Sequence, residues 1–201
     1  MGGTAVLIPA AGASRRMRGA DKLLREVEGL PLLRRQAQEA LRAADHVVVT
    51  LPDHDHPRAA ALQGLPVQLV AVPDAHLGMS SSLRRGVGLL PQGIDALMVL
   101  PADMPDLTAQ DLAAVIAAYR AMPQATLQRG TAEDGTPGHP VLFPRDCFPA
   151  LLALSGDMGA KAVLAANIHR VRDVPLPGRR ALTDLDTPEA WQAWEAAQAA
   201  E

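Results

Sequence analysis

The sequence predicts an α/β fold in which a mostly parallel sheet lies between two layers of helices. Short apolar runs rich in β-branched residues alternate with amphipathic stretches of helical spacing, which is the pattern of buried parallel strands joined by crossover helices. The chain has 201 residues, 48% of them hydrophobic and 20% charged, which suits a single domain over 1–201 with one sizeable core.

Ala5–Ile8, Val47–Leu51, Val67–Val72 and Ala96–Leu100 are the strand-like runs, each bounded by Pro or Asp. Leu32–Ala44, Arg58–Leu62 and Ser81–Leu90 carry helical spacing; in the first, Leu32, Leu33, Gln36, Ala37, Ala40 and Leu41 share one face. Thr108 is a plausible N-cap for a helix over Ala109–Ala121 that ends at Met122-Pro123, although Asp106 could cap it equally well. Ala125–Phe143 reads as strand broken by a hairpin or excursion loop at Glu133–Gly138. Helices over Asp146–Leu154 and Met158–Asn167, a strand near Arg172–Val174 and a helix over Pro188–Ala200 complete the chain. Residues Ala196–Glu201 read as a fraying end.

Composition excludes several functions. A net charge of −3 offers nothing to nucleic acid or an anionic membrane. With 2% aromatic residues, there is little from which to build base-stacking platforms. The single cysteine, Cys147, rules out a disulfide framework or a Cys-rich zinc site and reads as a buried, inert thiol. No apolar run reaches the ~18 residues of a membrane span, and the N-terminus lacks a signal-like basic segment. A cytoplasmic protein is expected.

The most informative stretch is Leu7–Lys22. An apolar run stops at Pro9 and opens into the small-residue loop Ala10-Ala11-Gly12-Ala13-Ser14, followed by Arg15, Arg16, Arg18 and Lys22. Small side chains let backbone amides approach an anion, and clustered cations complete a polyphosphate site. The loop has neither the G-x-x-x-x-G-K-[ST] nor the G-x-G-x-x-G pattern, so P-loop and dinucleotide-binding readings fall away.

This loop resembles the A-A-G-x-S-x-R-M-G-x-x-K signature of the molybdenum cofactor nucleotidyltransferases, and more broadly that of the sugar-phosphate and methylerythritol-phosphate nucleotidyltransferases. The resemblance implies a Rossmann-like sheet of the nucleotide-diphospho-sugar transferase type. It also implies that Ala10, Ala11, Gly12 and Ser14 line the base and ribose, while Arg16 and Lys22 contact the phosphates. Arg18 stands where the family has Gly. Either the tight turn moves along to Gly19, or Arg18 is a further phosphate contact.

Three other segments bear on the same reading. In Leu100-Pro101-Ala102-Asp103-Met104-Pro105, a carboxylate ends a central strand, where open α/β sheets bind ligands and where Mg²⁺ finds hard oxygen donors. The L-x-x-D-M-P pattern implies that Asp103 holds the catalytic metal. In Asp184-Leu185-Asp186-Thr187-Pro188-Glu189, Thr187 reads as a helix N-cap, and the two aspartates repel unless a cation or donors lie between them. Similarity to D-x-D-T-P-E implies a second metal carboxylate, with Asp186 ranked above Asp184. The third segment is Gly78-Met79-Ser80-Ser81-Ser82-Leu83-Arg84. Its serines open a helix and would expose amides and hydroxyls to a base or phosphate, although one serine suffices as a cap. A similar stretch, with Ala10-Ala11-Gly12 in place of A-G-G, marks the cytidylyl branch of the family.

Gly138-His139-Pro140 and the loop Gly156–Lys161 resemble acceptor-side elements, which implies that Gly138, His139 and Lys161 bind acceptor; the bland reading of His139 is a structural hydrogen bond. Asp53-His54-Asp55-His56 reads as a solvated loop rather than a metal cluster. The resemblance as a whole implies Mg²⁺-dependent transfer of CMP from CTP to molybdopterin with release of pyrophosphate, and possible transient contact with a molybdenum oxidoreductase. The competing readings are a guanylyltransferase using GTP on the same cofactor, a cytidylyltransferase of another small phosphate ester, and a non-catalytic cofactor carrier.

Overall fold

In the computed structural model, which describes residues 2–122, 125–156 and 158–199, elements alternate as the apolar periodicity predicts. The chain begins with β1 (Gly3–Pro9), a short hairpin of β2 (Glu26–Val27) and β3 (Leu30–Pro31), then α1 (Leu32–Ala43), β4 (His46–Leu51), α2 (Pro57–Ala61) and β5 (Gln68–Ala71). It continues with α3 (Met79–Gly88), β6 (Ile94–Val99), α4 (Ala109–Arg120), β7 (Leu127–Thr131) and β8 (Pro137–Pro144). The last elements are α5 (Phe148–Leu152), α6 (Lys161–Ala166), β9 (Val171–Pro175) and α7 (Pro188–Gln198).

Seven strands form one sheet in the order β5-β4-β1-β6-β8-β7-β9. β1 is parallel to both β4 and β6, and β4 is parallel to β5. β8 alone runs against its neighbours, β6 and β7, while β7 and β9 are again parallel. Both faces are apolar because successive side chains on each strand point to opposite sides. Val6, Ile8, Val49 and Met98 meet Leu33 and Ala37 of α1 and Leu112 and Val115 of α4. Ala5, Leu7, Val48 and Leu97 meet Leu83 of α3, Leu151 of α5 and Val163 of α6. Each such Val or Leu contributes about 1.5–3 kcal/mol relative to exposure. α3 lies close enough over β1 that a Cβ on Gly86 would meet the Leu7 side chain at 2.5 Å.

A third, smaller cluster fixes the end of the chain against its beginning. Met17, Val27, Leu32, Leu185 and Trp191 are buried together, and the Arg25 guanidinium lies 4.6 Å over the Trp191 ring. The hairpin that carries Val27 was not anticipated. Its strands are too short for alternation to show, and its turn places Glu28 (φ 52°) and Gly29 (φ 79°) in the left-handed region, as a type I′ turn requires.

The expected helices are mostly shortened at their ends. The Asp146–Leu154 stretch divides into a 3₁₀ turn at Arg145–Cys147 and the short α5, and α6 starts at Lys161 rather than Met158. Thr108, not Asp106, caps α4, in a reciprocal arrangement with Asp111. Asp106 instead accepts the Trp194 indole N–H at 2.8 Å. Thr187 caps α7. The expected helix end at Pro123 and the last two residues of the tail lie outside the described residues. Among the described residues no helix is long and apolar enough to cross a membrane.

Candidate active site

β1 and β6 are adjacent and parallel at the middle of the sheet, so the loops that leave their C-terminal ends lie side by side, where ligands bind open α/β sheets. The first loop carries Arg16 and Lys22, and the second carries Asp103. The segment before α7 crosses both. Its Leu185 N–H donates to the Asp103 carbonyl at 3.0 Å, and the His139 N–H donates to Ala181 O at 2.9 Å. Gly138 permits this close crossing, because a Cβ there would sit 2.1 Å from Ala181 O.

These crossings bring three charged residues from distant parts of the chain together. The Lys22 ammonium donates to Asp103 Oδ2 at 2.5 Å and to Asp186 Oδ1 at 2.7 Å. Arg16 pairs with the other oxygen of Asp186 at 2.7 Å. Burial alone would lower the Lys22 pKa, but the charge of Asp103 and the hydrogen bonds to both carboxylates outweigh it and raise the pKa above the ordinary lysine value. Burial would raise Asp186; its hydrogen bond to Lys22 and the charges of Lys22 and Arg16 pull it below the ordinary carboxylate value. Asp184 lies nearby and is more exposed. Its pKa is raised, first by loss of hydration and then by repulsion from Asp186 and Asp103. Of the two aspartates, Asp186 is therefore the one that shares a cation with Asp103.

The small-residue loop is held from beneath by a side chain that sequence reading placed only as the start of a helix. Arg58, at the start of α2, is 2% exposed. Its Nη1 donates to the carbonyls of Ala10 and Gly12 at 2.5 and 2.7 Å. Nη2 donates to Ser14 Oγ at 3.1 Å and Asp21 Oδ1 at 2.8 Å, and Nε to Asp21 Oδ2 at 2.7 Å. A signal was available, since a cation in the first turn of a helix opposes the helix dipole and needs a partner elsewhere. Ala10 and Ala11 are buried, whereas Gly12 is open.

The turn after Met17 uses both candidate positions, with Arg18 at φ 53° and Gly19 at φ 97°. The Arg18 side chain leaves the loop and pairs with Glu189 of α7 at 2.6 Å.

The three serines do not present their hydroxyls outward as expected. Ser80, Ser81 and Ser82 are all buried, and Ser80 donates to Gly156 O at 2.6 Å. Gly78 takes the N-cap position of α3, and the Ser80 backbone N–H also donates to Gly156 O, at 3.4 Å. Gly159 of that loop lies against Met79, and Lys161 is exposed at the start of α6; Asp157 lies outside the described residues. His139 sits within electrostatic reach of the aspartates. Loss of hydration lowers its pKa, against the opposing pull of Asp103 and Asp184. In the Asp53–His56 loop, His56 Nδ1 accepts the Arg58 N–H as a helix cap, and the other three residues are exposed. Cys147 is buried, and loss of hydration pushes its thiol up to about 11.

Among the described residues, no group of three or more His, Cys, Asp or Glu is arranged to hold a metal. Two carboxylates, Asp103 and Asp186, do converge on one cation, the Lys22 ammonium. One or two carboxylates, with water and substrate oxygens completing the shell, are what Mg²⁺ asks of a protein, so the donor chemistry of this pair fits a divalent cation.

A MobA-like NTP transferase domain is matched over residues 6–171. The chain is 30% identical over 198 residues to the purine catabolism protein PucB of Bacillus subtilis, covering 90% of this chain and 91% of that protein. It is 32% identical over 195 residues to a probable molybdenum cofactor guanylyltransferase of Synechococcus elongatus, with coverage of 94% and 96%. In fold it is similar to Rv0371c of Mycobacterium tuberculosis, with TM-score 0.82, 24% identity and coverage of 96% and 97%. That protein has also been solved in complex with manganese, a structure matched here with TM-score 0.77, 23% identity and coverage of 95% and 97%. The chain is a nucleotidyltransferase and belongs to the MobA-like NTP transferase family.

Proposed function

We propose that the protein transfers CMP from CTP to the terminal phosphate of molybdopterin or its molybdenum form, releasing pyrophosphate. The observation that carries the transfer chemistry is the convergence of Asp103, Lys22 and Asp186 beside the small-residue loop. An oxygen of the acceptor phosphate attacks the α-phosphorus, and the bond to the β-phosphate oxygen breaks as pyrophosphate leaves. The acceptor oxygen is already anionic at neutral pH, so no nucleophile or general base is required of the protein. Positioning and charge neutralisation do the work.

Ala10, Ala11, Gly12 and Ser14 line the nucleotide, together with the α3 N-terminus, which the buried side chains of Ser80, Ser81 and Ser82 shape from within. Arg16 and Lys22 neutralise charge on the phosphates and on departing pyrophosphate. Asp103 and Asp186 would hold a divalent cation, Mg²⁺ in this reading, which supplies charge neutralisation at the phosphates when bound. Gly138, His139 and Lys161 serve the acceptor side. Loss of hydration lowers the His139 pKa against the pull of Asp103 and Asp184, which suits the side chain to a hydrogen bond with the acceptor. The phosphate-bearing acceptor is thus met from the β8 side of the cluster.

The preference for cytosine rests on Ala10-Ala11-Gly12 and the Gly78–Ser82 stretch. A second reading, guanylyl transfer, is favoured by the guanylyltransferase relative. Incubation with each of the four nucleoside triphosphates, Mg²⁺ and molybdopterin, followed by mass analysis of the dinucleotide, separates the two. A cytosine dinucleotide supports the proposal. A guanine dinucleotide, or equal turnover of both, replaces it with the second reading or with a relaxed one.

A further inference from the structure

Arg58 lies outside every motif considered so far, on a short helix after β4, yet it touches both ends of the loop between β1 and the catalytic lysine. A guanidinium has five N–H donors in a fixed plane. Here the five hydrogen bonds to Ala10, Gly12, Ser14 and Asp21 leave none for substrate. Both oxygens of Asp21 are engaged, which anchors the backbone immediately before Lys22.

The peptide units of this loop are trans, and in a trans peptide the carbonyl and the following N–H point in opposite directions. With the carbonyls of Ala10 and Gly12 drawn inward to Nη1, the amides of Ala11 and Ala13 are turned away from the guanidinium. Ser14 is held at φ 48°, a left-handed conformation that a non-glycine residue adopts only at a cost. The hydrogen bond from Nη2 to its Oγ helps hold it there.

We infer that Arg58 is a positioning residue for the nucleotide. It fixes the loop so that backbone amides face the bound triphosphate and Lys22 is delivered to Asp103 and Asp186. The inference rests on the nucleotidyl-transfer reading above, and it holds whichever base is preferred. A lysine cannot replace the arginine, because three donors on one nitrogen cannot span two carbonyls and a carboxylate.

The test uses the full chain with Arg58→Ala and Arg58→Lys. Folding is checked by circular dichroism and thermal melting, and binding of CTP, GTP, ATP and UTP with Mg²⁺ is measured by calorimetry. Both folded variants should lose nucleotide affinity by ~10-fold or more, with KM for the triphosphate rising and KM for the acceptor changing little. Millimolar guanidinium should restore part of the loss in Arg58→Ala and none in Arg58→Lys. A folded Arg58→Ala protein with wild-type nucleotide affinity overturns the assignment, as does an affinity loss that merely tracks the unfolded fraction. If Arg58→Ala does not fold, Asp21→Asn carries the test, with a several-fold loss expected and unchanged affinity overturning the assignment. A wild-type protein that binds none of the four nucleotides overturns the functional reading and this assignment with it. Wild-type binding with unaltered variants overturns this assignment alone.

Discussion

Lys22 and Asp103, 81 positions apart in the chain, meet at 2.5 Å in a partly buried ion pair, and the same ammonium reaches Asp186. The lysine side chain is only 15% exposed, so it is a structural part of the free protein, beyond the phosphate contact proposed for it. Lys22→Ala leaves two carboxylates facing each other, with Arg16 the cation paired to them among the described residues. We expect a loss of about 1–3 kcal/mol in the stability of the nucleotide-free protein, read by urea unfolding, together with weaker nucleotide binding. Wild-type stability in a variant that has lost nucleotide binding would show that the ammonium faces phosphate alone.

The pH dependence of stability should show opposite signs for the two neighbouring aspartates. Asp186 is held below its ordinary value of 3.8, so the stability from its pairing is complete above 3.8. It is lost as the pH falls from there through the lower folded value. Asp184 is held above 3.8, so its ionised form costs stability at neutral pH, and acid relieves that cost. Lys22, raised above 10.5, keeps its contribution below 10.5 and loses it as the pH rises through the higher folded value. Unfolding curves of Asp186→Asn and Asp184→Asn across the acid range check this. Asp186→Asn should be less stable than wild type at pH 7, with the gap closing below 3.8, and Asp184→Asn should be slightly more stable at pH 7. The reverse order would mean that the cation belongs to Asp184.

Arg18→Gly should be tolerated. The residue sits at φ 53° with its side chain directed to Glu189 rather than into the loop. Glycine accepts that backbone without penalty, although it gains freedom in the unfolded chain. The expected result is a stability equal to wild type or up to about 1 kcal/mol higher, with KM for the nucleotide unchanged. A several-fold rise in that KM would show that Arg18 turns to the phosphates when nucleotide binds.

The parts of the site legible in the sequence are those whose chemistry is local. A strand ending in small residues and cations, an aspartate ending a central strand, and a D-x-D before a helix cap can each be read within about ten residues. Their meeting is a consequence of β1 and β6 being neighbours, which strand alternation alone does not specify. Arg58 escaped notice because its partners lie 37 to 48 positions away and because a single arginine in an alanine-rich helix resembles a solvated face. The serines of α3 were legible as a helix start, but the inward turn of Ser80 depends on Gly156, 76 positions away. The Glu26–Pro31 hairpin left no periodicity to read, because each of its strands has two residues.

The central claim is that Asp103 and Asp186 act as one unit in nucleotidyl transfer, and a double-mutant cycle on kcat/KM tests it most directly. Pyrophosphate release from CTP with acceptor and Mg²⁺ should fall by roughly 100-fold or more in Asp103→Asn and nearly as far in Asp186→Asn, with circular dichroism unchanged in each. The double variant should fall little further than the worse single one, because a shared centre already lost cannot be lost again. Wild-type Mg²⁺-dependent turnover in Asp103→Asn, or fully multiplicative losses in the double variant, would contradict the account.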